Sequence, residues 1–83
     1  MGKKGDGELE LEVLRILWAA GEPLQPAEVQ QRLTSTLAYT SVATVLTRLA
    51  TKGLVNRQSK GRFFVYEAAL SQDDWYAGRM MAI

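Results

Sequence analysis

Residues 38–53, with the sequence AYTSVATVLTRLATKG, contain the pattern that decides the fold of this chain. Apolar side chains recur there at i, i+3, i+4 and i+7, which is the spacing of the buried stripe of an amphipathic helix. The stripe consists of Val42, Val45, Leu46 and Leu49, and it predicts a helix over about residues 39–52. The opposite side has hydroxyls, a methyl group and an arginine where an exposed helix usually has Glu and Lys: Ser41, Ala43, Thr44, Thr47, Arg48 and Thr51.

This polar side is chemically suited to a DNA groove. Hydroxyl groups can donate to phosphates or base edges, a methyl group can contact the thymine methyl, and arginine can bond guanine through two nitrogens. Taken alone, the helix is explained equally well as a threonine-rich surface helix. An exposed threonine lowers helix stability by only roughly a few tenths of a kcal/mol relative to good helix formers. Features elsewhere in the chain must decide between these explanations.

Positive charge is concentrated around the same helix. The whole chain has a net charge of only +1, but residues 29–66 contain no acidic residue. Six cations lie within that stretch: Arg32, Arg48, Lys52, Arg57, Lys60 and Arg62. Such a segregated charge attracts polyanions, so the stretch is where we expect the functional site. Within it, Lys52 and Arg57 are the weaker candidates, because cations at helix ends and on strands are common without function.

Composition excludes several classes of function. The chain has 83 residues, enough for one small domain, and contains neither cysteine nor histidine. Thiolate metal sites and the commonest catalytic base are therefore absent, and we expect no enzyme activity, no metal and no cofactor. Residues 1–7 are polar and glycine-rich, which predicts a flexible N-terminus. With no apolar run near the roughly 20 residues that span a bilayer, we expect a cytoplasmic protein without membrane contact.

Two further helices precede residues 39–52. The first is predicted over Glu8–Ala20, with Gly21 ending it in a left-handed conformation. The second opens at Gln25 and Pro26 and continues to about residue 33 or 34. Because Gln is a poor N-cap, we expect a frayed start there, with Glu28 lacking its usual capping partner. The short linker that follows predicts a helix-turn-helix.

A β-hairpin is predicted after the third helix. Residues 54–59 and 63–68 have the composition of strands, and Lys60 and Gly61 supply the turn between them. A two-stranded hairpin is barely stable alone, so one face should pack on the helices. Alternation along the second strand places at least one of its aromatic residues in the core; these are Phe63, Phe64 and Tyr66. Three helices followed by a hairpin indicate an α+β winged helix-turn-helix over residues 8–70.

Residues 71–83 are predicted to begin a fourth helix, with Ser71 as its N-cap. Its apolar side chains form stripes without an obvious partner in the chain. We therefore expect them to belong to a dimer interface that this chain contains only in part; the candidates are Trp75, Tyr76, Met80 and Ile83.

In the order and spacing of its motifs the chain resembles the penicillinase-repressor (BlaI/MecI-type) family of bacterial winged-helix repressors. The resemblance covers nearly the whole chain. It is carried by residues 8–18 (ELELEVLRILW), 26–29 (PAEV), 37–49 (LAYTSVATVLTRL) and 52–55 (KGLV), and by Gly61, Arg62, Val65 and Tyr66 in the hairpin.

This resemblance implies a homodimeric repressor that occupies an inverted-repeat DNA operator with TACA/TGTA-like half-sites. Helix 3 would lie in the major groove and residues 59–63 would form the wing on the DNA backbone. By position, the family's groove-facing residues fall on Thr40, Ser41, Ala43, Thr44, Thr47 and Arg48. Ala43 departs from the longer polar side chain that several relatives have there.

Three further side chains are candidates for DNA contact. Lys60 and Arg62 at the wing tip are expected to meet phosphates, although hairpin tips are often charged only for solubility. Tyr39 either bonds a phosphate or packs under the start of helix 3. The same basic face also allows an alternative function, namely a winged-helix protein-interaction module that binds an acidic partner protein.

Overall fold

The computed structural model describes residues 6–34 and 36–81. The elements are α1 (Asp6–Ala20), α2 (Pro26–Arg32), α3 (Tyr39–Thr51), β1 (Val55–Lys60), β2 (Phe63–Ala68) and α4 (Gln72–Met81). The element order agrees with the predicted winged helix-turn-helix, and α1 begins two residues before the predicted start at Glu8. The remaining segment predicted to be flexible, residues 1–5, lies outside the described residues.

The core is formed where α1, α2 and α3 meet the base of the hairpin. The predicted stripe of α3 is buried, with Val42, Leu46 and Leu49 at 0% exposure. From the other elements the core takes Val13, Leu14, Leu17, Leu24, Val29, Val55 and Tyr66. Gly21 ends α1 with a φ of 67°, as predicted. Among the described residues, none of the helices combines the length and the apolar character needed to cross a bilayer.

The helix-turn-helix is stabilised by polar contacts at three points. Glu12 of α1 accepts hydrogen bonds from the backbone N–H and the hydroxyl of Thr34, at 2.9 and 2.8 Å, in the α2–α3 turn. The side-chain amide of Gln30 donates to the carbonyl of Leu37 at 2.8 Å. At the start of α2 the expectation that Glu28 lacks a partner is wrong, because its carboxylate accepts the N–H of Gln25 at 2.7 Å. A carboxylate at the third helical position can accept the N–H of the N-cap residue even when the N-cap side chain is a poor cap.

The hairpin pairs β1 and β2 in antiparallel register, with Lys60 opposite Phe63. Gly61 has a φ of 64° and forms, with Arg62, the two-residue connection. The tight turn therefore lies one residue later than the predicted Lys60–Gly61. Leu24 adds a short third pairing, exchanging two 2.8 Å backbone hydrogen bonds with Tyr66. Leu24 belongs to the connection between α1 and α2, so this contact joins the hairpin to the helices.

The start of α4 packs against α1. Ser71 is the N-cap, as predicted, and its hydroxyl accepts the N–H of Asp74 at 3.1 Å. The indole N–H of Trp18 donates to the carbonyl of Leu70 at 2.9 Å. Trp75 packs edge-on against Trp18 with ring centroids 6.0 Å apart, and therefore has apolar contacts within its own chain.

Candidate nucleic-acid interface

The predicted groove-facing residues lie together on one side of α3, opposite the buried stripe. Thr40, Ser41, Thr44 and Thr47 are exposed, whereas Ala43 and Arg48 are half-buried. An open depression of about 360 Å³ is lined by Ala43, Thr44, Thr47 and Arg48. The surface of α3 is thus a shallow, weakly contoured face with hydroxyl and methyl groups and one guanidinium.

Two threonine hydroxyls on this helix donate to the backbone. The hydroxyl of Thr44 donates to the carbonyl of Thr40 at 2.9 Å, and that of Thr51 donates to the carbonyl of Thr47 at 3.0 Å. In this structure the hydroxyl hydrogens of Thr44 and Thr51 are therefore directed to the helix backbone, and the role of Thr44 as a DNA contact stays a prediction. The carbonyl one turn earlier is the nearest acceptor for a helical threonine. What Thr44 presents outward is an acceptor oxygen and a methyl group, which favours contact with base methyls or with donors.

The three other predicted DNA contacts, at the start of α3 and at the hairpin turn, have exposed side chains. Tyr39, the first residue of α3, is 50% exposed, so half of its surface is accessible at the N-terminal end of the α3 face. Lys60 and Arg62 are exposed at the hairpin turn. These three side chains remain predictions as DNA contacts.

Lys52 lies in a stretch of sequence without acidic residues, but the fold brings it next to a carboxylate. Its Nζ lies 2.9 and 3.0 Å from the two carboxylate oxygens of Glu10 on α1. Glu10 is only 8% exposed, and its ion pair with Lys52 joins α1 to the C-terminal end of α3. Lys52 is therefore paired with an acid, although residues 29–66 contain none. The partner lies 42 positions away, and no local pattern signals it.

Arg57 on β1 was a weak candidate in the sequence, and the structure gives it a defined position. Its guanidinium carbon lies 4.5 Å from the centroid of the Phe64 ring. A second depression, of about 420 Å³, lies between α3 and β1 and includes Arg57. Its lining residues are Thr47, Ala50, Thr51, Val55, Asn56 and Arg57. The hairpin register could have indicated the pair, because Arg57 lies opposite Tyr66 and is diagonal to Phe64.

The predicted dimerisation residues have different environments in the structure. Trp75 is half-buried against Trp18, which corrects the expectation that its apolar surface lacks a partner. Tyr76 is 38% exposed and packs edge-on against Trp75, with centroids 4.9 Å apart. The side chain of Met80, and Ile83 as a whole, lie outside the described part of the chain. Within residues 6–34 and 36–81 no cluster of acidic side chains has the arrangement of a metal site.

Three helices, a two-stranded hairpin and this α3 face define a winged helix-turn-helix domain. The family model described as "Penicillinase repressor" matches residues 6–83. The chain therefore belongs to the penicillinase repressor family. A curated relative, the transcriptional regulator BlaI of Mycobacterium tuberculosis, is 39% identical over 77 residues, covering 90% of this chain and 56% of the relative. The chain spans slightly more than half the length of the curated relatives that it matches.

Two solved structures are similar in both sequence and fold. The solution structure of the DNA-binding domain of the repressor BlaI matches with a TM-score of 0.68 and 34% identity, over 89% of this chain and 93% of that domain. The second is the monomeric form of Bacillus licheniformis BlaI in complex with the blaP half-operator. It matches with a TM-score of 0.65 and 32% identity, over 89% of this chain and 88% of that one.

Proposed function

We propose that this chain is the DNA-binding part of a transcriptional repressor that recognises double-stranded DNA by sequence. α3 lies in the major groove and the wing, residues 59–63, lies on the DNA backbone. The observation that carries this proposal is the exposed face of α3, where small hydroxyl and methyl groups surround Arg48. A helix with short side chains can approach base edges closely, and arginine supplies the directional donor.

The family supports the same function. Its name is that of a repressor, and a relative 32% identical to this chain has been solved on a half-operator. A repressor of this kind acts by occupying a promoter in the cytoplasm and needs no catalytic residue. The residues proposed to contact DNA are Tyr39, Thr40, Ser41, Ala43, Thr44, Thr47, Arg48, Lys60 and Arg62.

The operator is proposed to be an inverted repeat bound by a homodimer. Linking two half-site contacts multiplies the affinity of one, because the second contact becomes intramolecular. Dimer contacts are assigned to α4 and the residues after it, including Tyr76, Met80 and Ile83. Trp75 is assigned instead to the packing of α4 on α1, because it already lies against Trp18.

Fluorescence anisotropy on two duplexes tests the function. One duplex carries a TACA/TGTA inverted repeat and the other a scrambled sequence of equal composition, each at several salt concentrations. Preference for the repeat with a log–log salt slope of about −5, the value for six phosphate contacts per dimer, is the expected result. Equal and salt-sensitive binding would contradict this operator and leave DNA binding in place.

The absence of binding to either duplex would contradict the repressor function and favour a protein-interaction module on the same basic face. A matched pair of variants sharpens this test. Arg48→Ala removes an arginine from the α3 face, whereas Arg15→Ala removes an exposed arginine from α1. Only the first should weaken binding to the repeat.

A further inference from the structure

We propose that Arg57, positioned by the ring of Phe64, forms a binding site for a DNA backbone phosphate in the corner between α3 and the wing. This site rests on the proposed function and adds to it a residue outside both α3 and the wing tip.

The position of Arg57 follows from the hairpin register. Arg57 pairs with Tyr66 and Ser59 pairs with Phe64, so Arg57 and Phe64 lie on the same face of the hairpin, diagonal to each other. The base of that face is buried, with Val55 at 3% and Tyr66 at 5% exposure. Arg57 is level with Tyr66, Phe64 lies two residues nearer the turn, and the side chains of both Arg57 and Phe64 are exposed. The guanidinium is thus in contact with a ring whose backbone is paired in the sheet.

The corner is continuous with the α3 face. Thr47 lines both the depression on that face and the depression that contains Arg57. In the proposed complex, the backbone that flanks the bases on the α3 face would run past this corner. Since α3 supplies the groups that reach base edges, the complementary task at this corner is to bind the backbone beside them.

The chemistry of the contact leaves the positive charge available. An aromatic ring attracts a guanidinium through its quadrupole and restricts its orientation, but unlike a carboxylate it does not neutralise the charge. The N–H donors at the periphery of the guanidinium match the oxygens of a phosphate in pairs. Contact with Phe64 thus reduces the side-chain freedom that phosphate binding would otherwise remove.

A double-mutant cycle measured on DNA tests the site. Wild type, Arg57→Ala, Phe64→Leu and the double variant are titrated with a duplex that carries one TACA half-site and with its scrambled counterpart. The single half-site gives one wing per duplex, and Arg15→Ala is the control for loss of an exposed arginine. Thermal unfolding of each variant checks that the fold is intact, as expected for two exposed side chains.

The expected result is a uniform loss. Arg57→Ala should weaken binding to both duplexes about eightfold at 0.1 M salt and reduce the log–log slope by about 0.9, the value for one phosphate contact. Phe64→Leu should weaken wild-type binding by roughly two- to fivefold, the range of an exposed cation–π contact. In the Arg57→Ala background the same change should have no further effect.

Three outcomes would overturn the site. The first is an unchanged affinity and slope for Arg57→Ala in a protein whose wild type binds DNA, which leaves the proposed function standing. The second is a loss confined to the TACA duplex, which would make Arg57 a base contact. The third is an equal effect of Phe64→Leu in both backgrounds, which would mean that the ring contacts DNA by itself. A wild type that binds neither duplex rejects the proposed function and this site together.

Discussion

The C-terminal end of α3 and the adjoining strand β1 each carry a basic side chain, and the fold uses the two in opposite ways. Lys52 is ion-paired with Glu10, whose side chain is 11% exposed. Arg57 lies over the ring of Phe64, at 4.5 Å. The first contact neutralises a charge and joins two helices, whereas the second orients a charge and leaves it unneutralised.

This difference shows that the number of cations in a stretch does not give the charge available to a ligand. Residues 29–66 contain six cations and no acid, yet α1 contributes an acid to the same surface. The charge of a binding face is decided by which elements pack beside it. If the Lys52–Glu10 contact serves stability and the Arg57–Phe64 contact serves DNA binding, mutations in the two regions should have different effects.

The largest effect is expected from Leu46→Ala, because both regions depend on the position of α3. Leu46 has 0% exposure in the middle of the buried stripe. Its truncation should lower the free energy of unfolding by about 2–5 kcal/mol through lost burial and a cavity. Chemical denaturation measures this, with the exposed neighbour Thr47→Ala as the control, expected to stay within about 0.5 kcal/mol of wild type. Equal effects of the two changes would mean that the orientation of α3 is wrong.

The second prediction concerns Arg48, which lines the depression on the α3 face. Arg48→Ala should weaken operator binding by about 1–3 kcal/mol, because a directional contact to a base or phosphate is lost. Anisotropy titration gives the affinity and circular dichroism gives the melting temperature. An affinity equal to that of wild type would remove Arg48 from the interface. A lower melting temperature would assign it a structural role.

The third prediction alters the wing without touching the end of α3. Gly61→Ala should destabilise the hairpin by about 1–2 kcal/mol, because a φ of 64° is strained for any residue with a Cβ. No atom lies within 4 Å of the added carbon, so the cost is conformational. The matched control is Gly78→Ala in α4, where nothing lies within 4 Å either and the change should stabilise by about 0.5–1 kcal/mol. Denaturation curves that shift in the same direction would contradict the strained turn.

The smallest effect is expected from the Glu10–Lys52 pair, and it tests the comparison directly. Lys52→Met should lower the free energy of unfolding by about 1 kcal/mol, because the half-exposed lysine is partly screened by solvent. The salt slope of DNA binding should stay unchanged, in contrast to the decrease expected for Arg57→Ala. Glu10→Gln, alone and combined with Lys52→Met, isolates the coupling between the two residues. A slope that falls for Lys52→Met would show that Lys52 contacts phosphate despite Glu10.

Elements with a strong periodic pattern were predicted closely from the sequence. α3 was expected over about residues 39–52 and spans Tyr39–Thr51, and its four stripe residues are all buried. Ser71 was correctly predicted to cap α4. These features depend on neighbours within one or two turns, so the local sequence contains the necessary information. The hairpin turn was predicted one residue too early. Both Lys60–Gly61 and Gly61–Arg62 contain the glycine that the turn requires, so the sequence did not distinguish them.

The candidate site was predictable only in part. The residues of the α3 face could be chosen because a helix places them on one side, and as DNA contacts they remain predictions. The donation of Thr44 to Thr40 was missed, although helix geometry permits it. The pairing of Lys52 with Glu10 could not be predicted, because the two residues meet only when α1 packs against α3. The position of Arg57 over Phe64 depends on the hairpin register, which is set by the turn.

By itself, the sequence determined the helix and strand order, the buried side of α3 and the concentration of positive charge in residues 29–66. Periodicity and turn chemistry act over a few residues, so these properties are local. Only the tertiary structure decided that Lys52 pairs with Glu10, that the hydroxyl of Thr34 donates to Glu12 and that Arg57 contacts the ring of Phe64. Electrostatic and hydrogen-bond partners are chosen by distance in space, and the packing of α1 and the hairpin around α3 sets those distances.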